Sequence, residues 1–253
     1  MKDAGHIASL ACAAALAACG DCPDAFELRE RRELAPGQRV VLTVPDGRLR
    51  IEGRERATSL EIEARGCAAG AEARIALDST AFDPEGGGAS AGVIDVRVLA
   101  AHAHVRVWLP TGMPLDVRHG AGDVRLRGTG PATLFTRDGR VVIEQVIGDV
   151  RIFAGAGALH VRDVLGDLEV QDEAGALFVD RIGGTLRVRD GAGGIHARDV
   201  EGDVVIESDG AGSIEVRRVR GDFVVRQKTD DRHLIRYDSV SGRSRLPSDR
   251  LPP

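Results

Sequence analysis

The sequence has few aromatic residues and no apolar stretch long enough to cross a membrane. Only 3% of its 253 residues are aromatic, namely six Phe, one Trp and one Tyr. A core must then be built from Val, Ile and Leu, which together with 32 glycines suggests short stacked strands. The main apolar run, Ile7 to Ala18, is shorter than the about 20 residues of a membrane-spanning helix.

Charges of both signs occur throughout the sequence. The net charge is −5, and acidic and basic residues are mixed along the chain, so no basic face is expected. Nucleic acids bind clustered Lys and Arg together with stacking rings, so nucleic acid is not an expected partner. A hydrophobic content of 43% and a charged content of 29% are typical of a folded domain.

The first residues have the pattern of an export signal. The run from Ile7 to Ala18 has the length of a signal-peptide core, although Asp3 offsets the positive charge of Lys2. It ends in Leu16-Ala17-Ala18-Cys19-Gly20, which resembles the lipobox of bacterial lipoproteins. That resemblance implies cleavage before Cys19, a diacylglycerol on its sulfur and attachment to a membrane of the cell envelope. The alternative is an ordinary signal peptide that is cleaved nearby.

The remaining cysteines suit an oxidising compartment. Once Cys19 is acylated and Cys12 is removed, Cys22 and Cys67 are left, and an oxidising environment favours a Cys22–Cys67 disulfide. Two free thiols are the alternative. Cys19 to Cys22 also spells C-x-x-C, but that motif follows a signal sequence here and does not lie between a strand and a helix, so a redox role is not expected.

Glycine-bounded units recur along the middle of the chain. A short unit, such as GDVRI from Gly148, alternates with a longer unit, such as GALHVRDVLG from Gly157. One short and one long unit together give a period of about eighteen residues. The repeat-turn glycines are Gly148, Gly166, Gly184, Gly202 and Gly221. Apolar residues two apart place both side chains on one face of a strand. Two short strands and two turns per unit predict a parallel β-solenoid (β-helix) of about seven coils.

The outward positions support the same register. Successive coils carry Arg162-Asp163, Asp180-Arg181 and Arg198-Asp199, and opposite charges therefore meet between neighbouring coils. Such exposed pairs stabilise little, but a slipped register would bring like charges together.

Residues outside the repeat define the other segments. Residues 23–110 lack the repeat but contain strand-like runs, which predict either a β cap on the first coil or a small β-sandwich. The segment after Phe82 has the composition of a loop. The predicted division is signal peptide 1–18, lipid-anchor linker 19–38, N-terminal β cap region 39–110, β-solenoid 111–247 and disordered tail 248–253.

The layout from Arg39 to Pro247 resembles a bacterial family named putative adhesins, domains of unknown function related to head-GIN-domain proteins. The residues that carry the resemblance are VWLPTGMPLDV from Val107, GDVRL at Gly122 and the GD-initiated repeats at Gly148, Gly166, Gly202 and Gly221. The resemblance implies an extracytoplasmic β-solenoid, often on a membrane-anchored chain. It implies no known reaction.

No catalytic motif is present in the sequence, and neither a cofactor nor an enzymatic activity is expected. His160 and His196 share an outward column with Phe178 and are interpreted as a solvated ladder. Asp172, Asp190 and Asp209 share a turn column, and calcium-binding β-rolls carry aspartates at such positions. Asp149, Asp167, Asp203 and Asp222 form a second column that Thr185 interrupts, and the doubled glycines of those β-rolls are absent.

The sequence therefore predicts a lipid-anchored, non-enzymatic β-solenoid of the bacterial cell envelope that acts as an adhesin-like or scaffold module. Its expected partners are the membrane, through the lipid, and an envelope polysaccharide, a protein or another copy of itself. A calcium-binding β-roll and, less favoured, a glycan-acting β-helix enzyme are the alternatives.

Overall fold

The computed structural model of the protein describes residues 25–35, 37–67, 73–82, 91–100, 102–229 and 234–247. The predicted signal peptide, Cys19, Cys22, most of the loop after Phe82 and the predicted tail lie outside these residues.

The described residues form β-strands and no α-helix. The strands are β1 Ala25–Glu33, β2 Arg39–Arg54, β3 Ser59–Cys67, β4 Arg74–Phe82, β5 Ala91–Leu99, β6 His102–Pro110, β7 Leu115–Ala121, β8 Val124–Arg127, β9 Ala132–Asp138, β10 Val141–Val146, β11 Val150–Ala156, β12 Leu159–Val164, β13 Leu168–Ala174, β14 Leu177–Ile182, β15 Leu186–Ala192, β16 Ile195–Val200, β17 Val204–Ala211, β18 Ile214–Val219, β19 Phe223–Val225, β20 Ile235–Val240 and β21 Ser244–Arg245.

From β7 onward, alternate strands stack into two parallel sheets, here named sheet A and sheet B. Sheet A contains β8, β10, β12, β14, β16, β18 and β20, and sheet B contains β7, β9, β11, β13, β15, β17, β19 and β21. Equivalent residues pair about eighteen positions apart, as Leu159 does with Leu177. The predicted parallel β-solenoid is confirmed.

Each coil fills the interior with the apolar residues of its two strands. In the coil of β13 and β14, Leu168, Val170, Leu177 and Val179 point inward because side chains alternate along a strand. Arg181 then adopts a positive φ of 58°, which shifts the alternation by one residue and turns Ile182 into the core. The left-handed conformation recurs at the equivalent position of the neighbouring coils, for example at Asp163 and Asp199. The two outward charged residues of each longer repeat, such as Asp180 and Arg181, therefore lie at a corner of the coil.

The glycine at the start of each longer unit allows close approach of the next coil. Gly175 has a φ of +144°, and a Cβ atom on it would lie 1.9 Å from the carbonyl oxygen of Gly157. No side chain fits there at the strand spacing of about 4.8 Å. The regular glycine spacing in the sequence is therefore a consequence of coil stacking.

The N-terminal strands precede the repeats as predicted and join the same two sheets. β2 runs through both sheets, and its residues pair in parallel with β7 and β8 on one side and with β5 and β6 on the other. β2 is therefore a coil of the stack itself. The alternative of a separate small β-sandwich is not what these strands form.

Antiparallel strands end both sheets on the N-terminal side. β3 pairs with β6 and β1 pairs with β3, which closes sheet A, while β4 pairs with β5 and closes sheet B. β1 carries charges of both signs, such as Glu27, Arg29 and Arg31, on a mostly exposed strand. Charged edge strands oppose further strand addition, so these strands are a cap for this end of the solenoid.

Candidate functional site on the outer face of sheet A

The outer face of sheet A carries a stack of three rings on neighbouring coils. His160, Phe178 and His196 occupy one column, with ring centroids 4.8 Å and 5.0 Å apart and the rings nearly parallel. Phe178 is 39% exposed. The predicted ladder is present, and His196 Nδ1 also lies 3.3 Å from the carboxylate of Glu215. The stack presents ring edges to solvent because the ring faces cover one another.

A column of paired charges lies beside the rings. Arg198 holds Asp180 with two hydrogen bonds of 2.9 and 3.0 Å, and Arg125 and Arg162 both contact the buried carboxylate of Glu144. Burial alone would raise the pKa of Glu144, but the hydrogen bond from Arg125 and the charges of Arg125 and Arg162 hold that pKa below its usual value. The ion-paired groups are held in fixed positions.

A shallow groove of about 650 Å³ runs between the rings and the charges. It crosses the strands β10, β12, β14, β16 and β18 along the solenoid axis. Its lining includes Arg140, Glu144, His160, Phe178, Arg198 and Arg217. The groove therefore offers apolar ring edges on one side and guanidinium and carboxylate groups on the other.

The corner residues carry a second set of ion pairs. Arg181 donates two hydrogen bonds to Asp163, at 2.6 and 2.9 Å, and Arg218 donates two to Asp199, both at 2.6 Å. These pairs join successive coils, as the alternating charges in the sequence predict. The guanidinium of Arg181 is the principal cause that lowers the pKa of Asp163.

Sheet A also carries arginines without carboxylate partners toward its N-terminal end. Among the described residues, Arg48, Arg50, Arg106 and Arg140 make no ion pair. We call the exposed group of basic side chains formed by Arg48, Arg50, His104, Arg106, Arg125 and Arg140 the basic face. This local cluster was not expected from the even mixture of charges along the sequence. Arg50 and Arg106 lie 56 residues apart in sequence but are neighbours in the sheet, so their clustering does not appear as a charge run.

The outer face of sheet B carries its own ring pair. Phe135 and Phe153 stack with centroids 4.6 Å apart, beside a groove of about 990 Å³. Gln171 and Arg189 continue the column of rings along the sheet. Arg189 is paired with Glu169 at 3.3 Å.

The predicted aspartate column lies inside the solenoid. Asp172, Asp190 and Asp209 pair in register and are 6%, 4% and 0% exposed, and Lys228 follows Asp209 in the column. Burial raises the pKa of Asp172 to about 6. Burial, with the charges of Asp172 and Asp209, raises the pKa of Asp190 to about 7. A protonated Asp190 can donate to Asp209, whereas an ionised Asp190 has no donor for its oxygens among the described residues.

The second aspartate column connects coils through the backbone. Asp149 accepts a hydrogen bond from the amide of Asp167, Asp167 from Thr185, and Asp203 from Asp222. These carboxylates are therefore used as structural acceptors at the turns. Among the residues that the structure describes, no three His, Cys, Asp or Glu side chains are grouped closely enough to hold a metal ion.

The anchor residues can be placed only in part. Cys67, at the end of β3, is disulfide-bonded, and the other cysteines of the chain lie outside the described residues. The pairing of Cys22 with Cys67 and the lipidation of Cys19 remain predictions. In the described ranges no helix is long and apolar enough to cross a membrane.

Comparisons with known proteins give low similarity. No protein-family profile matches the sequence, and no curated protein matches it. One solved structure, a "putative cell adhesion protein" from Clostridium sporogenes, is 9% identical to this chain with a TM-score of 0.31. The alignment covers 87% of this chain and 100% of that protein's chain. A second solved structure, a "putative adhesin" from Bacteroides fragilis, is 9% identical with a TM-score of 0.34. That alignment covers 87% of this chain and 97% of the other protein's chain.

Proposed function

We propose that the protein is a lipid-anchored, extracytoplasmic binding module of the bacterial cell envelope, without enzymatic activity, whose binding surface is the outer face of sheet A. The observation that carries the proposal is the groove between the His160–Phe178–His196 stack and the ion pairs of Glu144 and Asp180. Exposed rings and arginines are enriched at binding sites, and a rigid sheet holds them without a loss of backbone freedom on binding.

The groove favours an extended ligand. It crosses five coils of the stack, and each coil repeats the same side-chain positions at the strand spacing of about 4.8 Å. A repeating surface of this kind suits a ligand that is itself extended and repetitive. The extended faces of other repeat proteins bind ligands in the same way. An envelope polysaccharide has that form.

Binding is tested by retention of the purified full chain on isolated cell-envelope material. The variant Phe178→Ala with Arg198→Gln removes one ring and one paired arginine from sheet A. The variant Phe153→Ala with Arg189→Gln removes the same two features from sheet B and is the matched control. We expect wild type and the control to be retained and the sheet A variant to be released. Release of wild type, or equal retention of all three proteins, would contradict the proposal.

The anchor is tested separately. Mass spectrometry of the membrane fraction is expected to find an acylated N-terminal Cys19, and Cys19→Ala is expected to release the protein from that fraction. An unmodified Cys19, or a chain that retains Met1, would remove the lipid anchor and leave the binding proposal to be judged by the retention assay.

A further inference from the structure

The basic face places like charges next to one another on adjacent strands. Arg50 lies in register between Arg106 of β6 and Arg125 of β8, so three guanidinium groups occupy one outward column. Neighbouring strands are about 4.8 Å apart, and like charges directly opposite destabilise a sheet. Arg125 is compensated by Glu144 at 2.9 Å, but Arg50 and Arg106 have no carboxylate partner among the described residues.

Further basic groups lie on one flank of this column. Arg48 precedes Arg50 by two residues and therefore projects from the same face, and it is in register with His104. Arg140, which immediately precedes β10, lies on the same flank as Arg48 and lines the groove. The basic face is thus continuous with the groove.

Acidic residues limit the basic face to a line. Glu63, which pairs in register with Arg106, already binds Arg65 at 2.6 Å, and the exposed Glu52 lies beside Arg50 on the same face. The unpaired positive charge therefore runs parallel to the solenoid axis, across the strands, with Glu63 at its end and Glu52 along one side. On the other side, between Arg48 and Arg140, the exposed Asp123 accepts a hydrogen bond from the Arg140 amide at 3.4 Å. The chain as a whole has a net charge of −5, so this line is a local exception.

We propose that the basic face binds a linear acidic polysaccharide, whose carboxylate or sulfate groups lie along the column Arg106, Arg50 and Arg125. The inference rests on the proposed function and names the chemical class of its ligand. Guanidinium groups bind carboxylates and related oxyanions through paired hydrogen bonds, and a bound polyanion would remove the repulsion between Arg50 and Arg106.

A polymer fits this arrangement better than a membrane surface does. A plane of anionic headgroups would meet Glu52 and Glu63 together with the arginines, and the acidic groups would repel it. A chain that lies along the column meets the arginines and passes beside the carboxylates. The groove then takes the sugar rings of the same polymer along β10 to β18.

The test measures binding of the full chain to polygalacturonate, a linear polymer with one carboxylate per sugar, with neutral dextran as the reference. The variant Arg50→Gln with Arg106→Gln removes two charges from the basic face. Arg118→Gln with Arg189→Gln removes two charges from sheet B and controls for net charge. Isothermal titration at several salt concentrations gives the Kd and its salt dependence, and thermal unfolding checks that each variant is folded.

We expect wild type and the control to bind polygalacturonate with the same Kd and not to bind dextran. The basic-face variant is expected to bind about tenfold more weakly or worse, which corresponds to the loss of one good charged contact. The magnitude of its slope of log K against log salt should be smaller by on the order of 1.4, if each lost charge contributes about 0.7 as in single-stranded nucleic acids.

Equal binding by the two double variants would overturn the basic face as the site. Retention on envelope material without any binding of polygalacturonate would overturn the ligand class and leave the proposed function standing. Stronger binding to phosphatidylglycerol vesicles or to a DNA oligonucleotide than to polygalacturonate would overturn the choice of a polysaccharide. Binding to none of these materials would overturn the proposed function as well.

Discussion

Lys228 forms an ion pair with Asp209 in the interior of the solenoid, where the two side chains are 1% and 0% exposed. Lys228 also donates to the carbonyl oxygen of Gly212 at 2.7 Å. The lysine occupies the position that an aspartate holds in the three preceding coils, so it places a positive charge at the C-terminal end of the buried aspartate column. Because both charges lack water, each depends on the other.

Removing one member of this pair should destabilise the fold strongly. Lys228→Met leaves Asp209 buried and unpaired, and we expect a loss of about 3–5 kcal/mol in the free energy of unfolding. The double variant Asp209→Leu with Lys228→Met removes both charges and should recover most of that loss. Urea denaturation of the four proteins of this cycle measures the coupling. A double variant as unstable as Lys228→Met would show that the pair is not the cause.

The aspartate column should make stability depend on pH in the mildly acidic range. The pKa values of Asp172 and Asp190, about 6 and about 7, lie above the ordinary 3.8, so the folded chain binds more protons than the unfolded chain. Their stabilisation is complete below the ordinary pKa and is lost as the pH rises through the folded values. We expect the free energy of unfolding to fall between about pH 4 and pH 7, by on the order of 3 kcal/mol for one such group.

The double variant Asp172→Asn with Asp190→Asn is the control for this dependence. It cannot ionise at these positions, so its free energy of unfolding should no longer fall over the same range. The buried His119, whose pKa is lowered by burial, acts in the opposite direction and favours a small rise. Carboxyls whose pKa is lowered by arginines, such as Asp163 and Asp199, act in the opposite direction and only below about pH 4. A wild-type stability that rises from pH 4 to pH 7 would contradict the raised pKa values.

Gly175→Ala should separate neighbouring coils. Its Cβ would lie 1.9 Å from the carbonyl oxygen of Gly157, and its φ of +144° is unfavourable for alanine. The matched control is Gly37→Ala, which also has a positive φ, +79°, but has nothing within 4 Å of the added atom. We expect a loss of about 1 kcal/mol for Gly37→Ala and several times more for Gly175→Ala. Chemical denaturation that gives equal losses would mean that the coils adjust easily.

Calcium should not change the stability of the protein. The carboxylates of Asp149, Asp167 and Asp203 accept backbone hydrogen bonds from the next coil, and Asp172 and Asp190 are buried. Calorimetry with excess calcium and with a chelator is expected to give the same unfolding temperature. A rise in that temperature with calcium would favour the β-roll alternative, since a ligand that binds only the folded chain stabilises it.

The repeating part of the fold could be predicted from the sequence because each coil repeats the same local rule. The spacing of Gly157 and Gly175 and the alternation of Leu168 and Val170 specify strand, turn and register together. The corner at Arg181 was less evident, because a left-handed residue without glycine leaves no distinct pattern beyond the outward pair.

The position of β2 and the basic face could not be predicted in the same way. β2 pairs with β5 and β6, which come later in the chain, as well as with β7 and β8, and no local pattern encodes such long-range pairing. The neighbourhood of Arg50 and Arg106 depends on that pairing. The burial of Asp172 and Asp190 was likewise hidden, because aspartate at a turn is ordinarily exposed.

Arginine-directed chemical footprinting tests most directly whether the outer face of sheet A is the binding surface. The full chain is treated with phenylglyoxal with and without isolated envelope polysaccharide, and the modified arginines are identified by mass spectrometry. We predict that the polysaccharide protects Arg50, Arg106 and Arg198 on sheet A and leaves Arg118 and Arg189 on sheet B reactive. Protection of the sheet B arginines alone, or equal reactivity of all five with the polysaccharide bound, would contradict this account.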